Sequence, residues 1–373
     1  MACFIGLMSG TSLDGIDGVL AQFADDGVAC TSLGHVHRPL QGALRGELLA
    51  LNSSGSDELH RAALATQSLM DGYAVVVVEL LRSSGLQAQS IAAIGAHGQT
   101  VRHRPRDLGA HGYTLQLMNG ARLAELTGVA VVCDFRSRDV AAGGEGAPLV
   151  PAFHAARFTR PGHSRAVLNL GGIANLTLLN GGGGVRGYDT GPGNVLMDLW
   201  CQRQRGLAYD AGGAWAASGQ LIPSLLTALL AEPYFERAPP KSTGRDLFDA
   251  AWLDTQLAAM SGPASLAADV MATLTELTAR SVCDALRRDA ADLEDLVVCG
   301  GGAYNDHLMQ RLRALLGGAV TVSSSAAAGV PPDQVEALAF AWLAWAHVAR
   351  QPGSLPAVTG ARGARVLGAL YPA

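Results

Sequence analysis

The sequence predicts an α/β protein of two lobes, each built on a mixed β-sheet. The chain has 373 residues, which is more than one ordinary globular core accommodates. Strand-like apolar runs alternate with helical patterns, as in sheets that are covered by helices. A pattern of three strands with a glycine-rich first hairpin occurs twice, near residue 5 and near residue 166. A duplicated unit of this kind is expected to bind its ligand in a central cleft between the two halves.

The first lobe is predicted over residues 1–140, with a C-terminal tail at about 355–373 that can return to it. Its predicted strands cover residues 3–8, 15–23, 28–36, 91–96, 114–117 and 130–133. Its predicted helices cover residues 43–51, 57–83 and 120–127.

The second lobe is predicted over residues 141–354, after a boundary segment at 136–151 that is rich in glycine and alanine. Its predicted strands cover residues 164–170, 173–179, 185–189, 296–299 and 319–322. Its predicted helices cover residues 194–205, 218–230, 250–260, 265–289, 305–316 and 334–350. The repetition between the lobes is one of pattern, not of residue identity.

Composition argues against several classes of protein. The net charge is −5, and no run is rich in lysine or arginine, so the composition does not indicate a nucleic-acid partner. The six cysteines form no C-x-x-C pair, which predicts reduced thiols in a cytoplasmic protein. The chain does not open on a basic, apolar leader, and the apolar helix at 336–349 is too short to span a bilayer. We therefore expect a cytoplasmic protein without a membrane partner.

The first motif is the turn after the opening strand, which runs from Ser9 to Asp14. Small hydroxylated residues in a tight turn present several N–H groups and hydroxyls in one concavity, which suits a phosphate. The carboxylate of Asp14 is placed to hold a Mg²⁺ ion that accompanies the phosphate. The turn alone is equally compatible with an ordinary polar hairpin.

The second motif is the segment Asp189-Thr190-Gly191-Pro192-Gly193-Asn194. An acidic residue ends a strand, and the glycines open a helix whose N-terminus is expected to offer free N–H groups to an anion. Asp189 is then placed to orient Mg²⁺ or to act as a base toward a water or hydroxyl. The alternative is an Asp that caps the helix, with glycines that serve a tight turn.

The third motif is Gly300-Gly301-Gly302, which follows a predicted strand and precedes Asn305. Consecutive glycines allow a flat ligand to approach the backbone, although a plain strand-to-helix turn has the same composition. The chain has no G-x-x-x-x-G-K-[ST] loop and no G-x-G-x-x-G after its first strand, which disfavours a P-loop kinase and a Rossmann dehydrogenase. In type and order, the three motifs resemble those of the actin-like ATPase superfamily, which includes Hsp70 and sugar kinases and has a ribonuclease H-like fold.

Longer stretches resemble the anhydro-N-acetylmuramic acid kinase family of bacterial cell-wall recycling. The stretches that carry the resemblance are GLMSGTSLDG at 6–15, GQTVRH at 98–103, DFRSRDVAAGG at 134–144, LNLGGIAN at 168–175, DTGPGN at 189–194 and PKSTGR at 240–245. The resemblance extends over nearly the whole chain, to GALYP at 368–372.

The resemblance implies a reaction and its cofactors. Water opens the 1,6-anhydro bridge of a muramic sugar at the anomeric carbon, and the freed O6 takes the γ-phosphate of ATP in the presence of Mg²⁺. The carboxylate that activates the water maps to Asp189, and Asp14 is the predicted metal ligand. The predicted nucleotide-binding residues are Ser9, Gly10, Thr11, Ser12, Leu13, Asp14, Gly15, Ile16, Asp17, Gly171, Gly172, Gly191, Gly193, Asn194, Gly300, Gly301, Gly302 and Asn305.

The sugar side is predicted from polar residues near the end of the first lobe. They are His97, Gln99, Arg102, Arg136, Arg138 and Asp139. Because arginine pairs with carboxylates in a bidentate way, one of the three arginines is expected to hold the lactyl carboxylate of the sugar. Salt bridges between lobes are the competing explanation for each arginine, and a buried structural histidine is the competing explanation for His97.

Lys241 is the only lysine of the chain, which suggests a role that arginine does not fill, such as a point charge near phosphates. Two other functions remain open at this point: a kinase for another anhydro- or amino sugar, and a chaperone-type ATPase without a sugar substrate. The family resemblance also suggests a homodimer.

Overall fold

A computed structural model of the chain describes residues 1–10, 13–106, 112–239, 241–244, 247–258 and 267–373. It divides into two compact units. The first consists of Met1–Arg157 with Gln334–Ala373, and the second of Phe158–Asp333. The division thus differs from the predicted boundary after residue 140, and the last long helix belongs to the first unit rather than to the second.

The strands are β1 (Ala2–Met8), β2 (Gly15–Phe23), β3 (Cys30–Pro39), β4 (Ile91–Ala96), β5 (Gln99–Arg104), β6 (Tyr113–Leu117), β7 (Val131–Cys133), β8 (Arg165–Leu170), β9 (Ile173–Leu179), β10 (Val185–Pro192), β11 (Asp295–Cys299), β12 (Thr321–Ser324) and β13 (Ala369–Tyr371).

The helices are α1 (Gly42–Ala50), α2 (Glu58–Ser84), α3 (Gly120–Thr127), α4 (Ser137–Ala141), α5 (Val150–Phe158), α6 (Val195–Arg205), α7 (Ala214–Ser218), α8 (Pro223–Leu230), α9 (Ala250–Ala258), α10 (Ala267–Asp289), α11 (Asp306–Leu316), α12 (Val335–Val348) and α13 (Pro356–Thr359).

The two main sheets share one topology. The strand order is β13-β7-β4-β1-β2-β3 in the first unit and β10-β9-β8-β11-β12 in the second. In each unit three antiparallel strands come first along the chain, and the first of them also pairs in parallel with a later strand, β4 or β11. The predicted duplicated mixed-sheet α/β fold is confirmed. The tail of the chain returns to the first sheet, because β13 pairs antiparallel with β7.

Helix α12 lies directly against β1 and β4 because both strands carry a glycine at the contact. A Cβ atom on Gly6 would lie 1.8 Å from the carbonyl oxygen of Ala337, and one on Gly95 would lie 2.0 Å from that of Phe340. These glycines remove the side-chain layer that normally separates a helix from a sheet. The close approach explains why α12 belongs to the first unit.

Helix α2 also packs on the hydrophobic core of the first unit. Its side chains at Leu69, Met70, Tyr73 and Val77 are fully buried against residues of β1, β2 and β4. By length and composition alone, this helix of 27 residues is long and apolar enough to cross a membrane. Core helices of soluble proteins pass the same test, and one face of α2 packs in the core of its unit, while 39% of the apolar window is buried.

Candidate active site

The described residues on either side of the predicted phosphate-binding positions are Gly10 and Leu13, and the exposed carboxylate of Asp14 follows them. Leu13 has a φ of 54°, and its N–H donates to the carbonyl of Gly10 at 3.2 Å. Asp14 is exposed, and its Oδ1 accepts from the N–H of Gly15 at 3.0 Å. The side chains of Leu13 and Ile16 are buried in the core of the first unit, so only their backbone is available to a ligand.

Ser9 anchors this turn. It is buried, with its Oγ 2.9 Å from the hydroxyl of Tyr73, and it donates to the carbonyl of Gly98 at 3.2 Å. Both contacts tie the turn to neighbouring elements of its own unit. The predicted phosphate ligands Thr11 and Ser12 lie outside the described residues.

Asp17 is in contact with two histidines on the neighbouring strand. Its Oδ1 lies 3.1 Å from His35 Nε2 and 3.0 Å from His37 Nδ1. The two histidines share a face of β3 because side chains two residues apart point the same way. This pair orients the carboxylate of Asp17 on the strand that follows the predicted nucleotide-binding turn.

Glu336 is an acidic residue of this region that the sequence analysis missed. It lies in the first turn of α12 and is partly buried. Burial raises the pKa of its carboxyl group, the charges of Asp17 and Asp14 raise it further, and Arg136 opposes the shift. One signal was available in the sequence, because Glu336 is the only acidic residue of α12 and every other residue of this helix except His347 is apolar.

His97 and Arg136, two of the residues predicted to bind the sugar, lie within hydrogen-bond distance of each other. The Nε and Nη2 atoms of Arg136 lie 3.1 and 2.8 Å from His97 Nε2, and Nη1 donates to the carbonyl of Gly146 at 2.7 Å. Burial and the nearby Arg136 lower the pKa of His97 well below its usual value, so its ring is neutral. Burial also lowers the pKa of Arg136 to about 10, against the charges of Glu336 and Asp139.

Gln99 adds an unsatisfied acceptor in the same unit. Its Nε2 donates to the carbonyls of Gly10 at 3.3 Å and Thr100 at 3.4 Å. Its Oε1 is buried and has no hydrogen-bond partner among the described residues. A buried oxygen of this kind is normally satisfied by a water or a ligand, so Gln99 keeps its place among the predicted binding residues.

The two other arginines that were predicted to bind the sugar, Arg102 and Arg138, have different partners. The guanidinium of Arg102 pairs with Glu58 at 2.6 Å and also donates to the carbonyl of Leu51. Arg138 is exposed and donates to the carbonyl of Val366 at 3.1 Å. The structure therefore places Arg136 and His97 together, and gives Arg102 an ion pair elsewhere in the first unit.

Asp139 is inaccessible to a ligand in this structure. It is fully buried, its Oδ2 accepts from the N–H of Gly146 at 2.8 Å, and its Oδ1 accepts from the hydroxyl of Thr359 at 2.9 Å. These contacts tie α4 to the loop before α5 and to α13. Asp139 thus supports the loop whose Gly146 carbonyl holds Arg136.

Asp189 lies in the second unit, where the pairing of β10 with β9 shifts register between Asp189 and Gly191. Such a bulge re-aims a side chain. Its Oδ2 accepts from the N–H of Thr243 at 3.1 Å and from the hydroxyl of Ser242 at 3.0 Å. Burial raises the pKa of Asp189 to about 6, while these two hydrogen bonds and the charge of Lys241 lower it. A carboxylate with such a pKa can act as a general base near neutral pH.

The expectation of free N–H groups at the start of α6 is wrong. The N–H groups of Gly193 and Val195 donate to the carbonyl of Gly172 at 2.9 and 3.1 Å, and that of Asn194 donates to Gly171 at 2.8 Å. The β8–β9 hairpin therefore caps α6 with its own carbonyls. That these residues contact a nucleotide stays a prediction. A nucleotide cannot accept hydrogen bonds from the N–H groups of Gly193, Asn194 and Val195 while these groups donate to the hairpin.

The glycine triplet after β11 is explained in large part by packing on β8. A Cβ atom on Gly300, where φ is 78°, would lie 2.5 Å from Asn169 Oδ1. One on Gly302 would lie 2.5 Å from the Cβ of Leu170, whereas one on Gly301 would have no neighbour closer than 3.9 Å. Of the three glycines, Gly301 is therefore the position with space for a ligand.

Two polar residues that the sequence analysis singled out are held within the second unit. Asn305 caps α11, because its Oδ1 accepts from the N–H of Leu308 at 2.9 Å. Lys241 donates through Nζ to the carbonyls of Tyr234 at 3.3 Å and Phe235 at 3.1 Å. These contacts give both side chains hydrogen-bond partners within the protein, without a bound phosphate.

Comparison with known proteins identifies the family. The family model described as anhydro-N-acetylmuramic acid kinase matches residues 2–373. The chain belongs to the anhydro-N-acetylmuramic acid kinase family.

Curated relatives with that name are similar over their full lengths. The anhydro-N-acetylmuramic acid kinase of Variovorax paradoxus (strain S110) is 60% identical over 376 residues, which cover 99% of this chain and 99% of the relative. That of Bordetella petrii is 60% identical over 371 residues, covering 99% of this chain and 96% of the relative. Among solved structures, the xylulose kinase from Rhodospirillum rubrum has a TM-score of 0.46 and 14% identity, covering 90% of this chain and 92% of that one. Such a score is too low to argue from.

Mg²⁺ is a predicted cofactor of this chain, with Asp14 as its predicted ligand. Within the described ranges no group of three or more histidine, cysteine, aspartate or glutamate residues is arranged to hold a metal ion. Mg²⁺ bound with a nucleotide commonly uses one or two carboxylates together with phosphates and waters. The exposed carboxylate of Asp14 fits that mode, and a closed protein cage is not required.

Proposed function

We propose that this chain is an ATP-dependent kinase that opens 1,6-anhydro-N-acetylmuramic acid with water and phosphorylates its O6, in peptidoglycan recycling. The observation that carries the proposal is the match to the family over residues 2–373, with curated relatives of that name at 60% identity. The environment of Asp189 supports it, because the reaction needs a base that is ionised near neutral pH.

In the proposed reaction Asp189 takes a proton from a water molecule whose oxygen bonds to the anomeric carbon. The bond from that carbon to O6 breaks, and its electron pair stays on O6. O6 then bonds to the γ-phosphorus of ATP as the bond from phosphorus to the ADP oxygen breaks. Phosphoryl transfer needs alignment and charge neutralisation more than covalent help from the protein.

The segment from Gly10 to Asp17 is proposed to bind the phosphates of ATP, with Asp14 as a ligand of Mg²⁺. The positive φ of Leu13 and the exposed carboxylate of Asp14 support this assignment. When bound, Mg²⁺ would offset the negative charge that gathers on the transferring group. Asp17, held by His35 and His37, adds a second oriented carboxylate beyond the turn.

Arg136 is proposed to hold the lactyl carboxylate of the sugar. Among the described residues it forms no ion pair within 4.0 Å, whereas Arg102 is paired with Glu58. Its hydrogen-bond partners, His97 and the carbonyl of Gly146, are both neutral. A partly buried cation without a direct anionic partner is stabilised by binding a carboxylate, since burial of an unmatched charge is costly.

Replacement of Arg136 by alanine is expected to remove discrimination for the lactyl group. The KM for 1,6-anhydro-N-acetylmuramic acid should rise about 10- to 100-fold, because a hydrogen-bonded charge pair is lost. The activity on 1,6-anhydro-N-acetylglucosamine, which has no lactyl group, should change much less. The measurement is kcat/KM for both sugars, with Arg122→Ala as the matched control, since Arg122 lies in the same unit, pairs with Asp71 and belongs to no predicted site. An equal loss on both sugars would assign Arg136 a structural role instead.

The pH dependence of kcat/KM is expected to show an acid limb with a midpoint near pH 6. Burial raises the pKa of Asp189 from 3.8 to about 6, and only the ionised form accepts a proton from water. The activity should therefore fall about tenfold per pH unit below that midpoint and level off above it. A limb near pH 4 would show that Asp189 titrates as an exposed carboxyl group.

The test of the function itself is ADP release by the purified protein with and without 1,6-anhydro-N-acetylmuramic acid. The proposal predicts release that depends on the sugar. Release without sugar would favour a chaperone-type ATPase, and a stronger response to another anhydro- or amino sugar would favour a different sugar kinase.

We also propose that the protein works in the cytoplasm as a homodimer. The family resemblance suggests the dimer. All six cysteines are free thiols, which is typical of proteins from a reducing compartment.

A further inference from the structure

The loop at Lys241–Gly244 contacts both the side chain and the backbone of Asp189. Ser242 and Thr243 donate to the same carboxylate oxygen, Oδ2, at 3.0 and 3.1 Å. Within the part of the chain that the structure describes, no protein group donates to the other oxygen, Oδ1. The N–H of Asp189 also donates to the carbonyl of Lys241 at 3.3 Å.

The loop is itself anchored. The ammonium of Lys241 donates to the carbonyls of Tyr234 and Phe235 and lies 4.7 Å from the centroid of the Tyr234 ring. The hydroxyl of Tyr234 donates to the carbonyl of Asp189 at 2.8 Å. Lys241 and Tyr234 thus fix the position of the loop relative to strand β10. These contacts explain structurally why the only lysine of the chain lies here.

We propose that Ser242 is a positioning residue for the base of the ring-opening step. Together with the N–H of Thr243 it fixes Oδ2 of Asp189, and this leaves Oδ1 to accept the proton of the attacking water. This inference rests on the proposed function, in which Asp189 is the base. The Oγ1 atom of Thr243 supports it, because it is buried without a partner among the described residues and is suited to a water or a sugar hydroxyl.

The hydrogen bond from Ser242 also favours the ionised form of Asp189, and so opposes the effect of burial. The charged or titratable groups around Asp189 are Lys241 on the loop and Tyr234 on the segment before it. Beyond these, Tyr188 donates to Asp289, and Arg288 lies near Lys241. Removal of the Ser242 hydroxyl leaves those groups in place, so its effect on Asp189 can be measured separately.

The test is the pH profile of kcat/KM for Ser242→Ala, with Ser242→Thr as the variant that restores the hydroxyl. The midpoint of the acid limb should rise by about one pH unit in Ser242→Ala, since one donor to the carboxylate is lost. It should return toward the wild-type value in Ser242→Thr. Ser218→Ala is the matched control, because Ser218 is exposed in the same unit and donates only to the carbonyl of Trp215.

A second readout does not depend on turnover. The titration of the Asp189 carboxyl group can be followed by ¹³C NMR in protein labelled at aspartate, with the signal assigned by its loss in Asp189→Asn. The same upward shift is expected in Ser242→Ala. An unchanged midpoint in both experiments, or a loss of kcat at every pH without a shift, would overturn the inference. If Asp189→Asn remained active, the proposed function itself would fail, and this outcome is distinct from a failure of the role of Ser242.

Discussion

Replacement of Asp189 by asparagine is expected to lower kcat by about 10²- to 10⁴-fold, the usual contribution of a positioned general base. Asparagine preserves the size of the side chain but cannot accept the proton of the attacking water. The bulge in β10 and the loop at Lys241–Gly244 should persist, because the backbone contacts of Asp189 do not involve its carboxylate and the amide oxygen of asparagine can still accept from Ser242 and Thr243. The measurement is the steady-state rate of ADP formation at saturating sugar and ATP.

The matched control is Asp284→Asn, which removes an exposed carboxylate on α10 that pairs with Arg287 at 2.7 Å. Its rate should equal that of the wild type. ATP binding by Asp189→Asn, followed by calorimetry, should be close to normal, since the nucleotide is proposed to be held by other residues. Substantial turnover by Asp189→Asn would show that another group activates the water.

Replacement of Gly6 by alanine is expected to destabilise the first unit by about 3 kcal/mol or more, at the upper end of overpacking effects. A Cβ atom at this position would lie 1.8 Å from the carbonyl oxygen of Ala337 and 2.5 Å from the backbone nitrogen of Ala341. Both atoms belong to the backbone of α12, so no side-chain rotation relieves the clash. The thermal unfolding midpoint, followed by circular dichroism, should fall by about 5–10 °C.

The control for this prediction is Gly46→Ala, in the interior of α1, where a Cβ atom meets no neighbour within 4 Å. That change should raise stability by about 0.5–1 kcal/mol, because alanine favours helices over glycine. A Gly6→Ala protein with an unchanged midpoint would mean that α12 does not pack against β1 as described.

The secondary structure was most predictable where apolar periodicity is strong and the ends are marked by turns. The predicted bounds of β2, β9 and α3 agree with the structure. Strand β5 was missed because its sequence, QTVRHR, carries too many polar residues for a strand pattern. The helix predicted at 218–230 begins only at Pro223, as α8, because Ser218 ends the separate short helix α7 and residues 219–222 are not helical.

The candidate site was predictable as a set of local motifs but not as a set of contacts. Asp14 ends one turn and Asp189 precedes another, and the composition of both turns is visible in the sequence. The pairing of Arg136 with His97 joins positions 39 residues apart, and no local pattern encodes it. The carbonyl cap on α6 and the position of Glu336 depend on which hairpin or strand packs nearby, which only the tertiary structure decides.

The most direct test of the central claim is mass analysis of the product formed from ATP and 1,6-anhydro-N-acetylmuramic acid. The account predicts one product that has gained one water and one phosphoryl group, formed in equal amount with ADP. It also predicts that no phosphorylated sugar with an intact anhydro bridge accumulates. A product that gained the phosphoryl group without water, or ADP formed without any sugar product, would contradict the account.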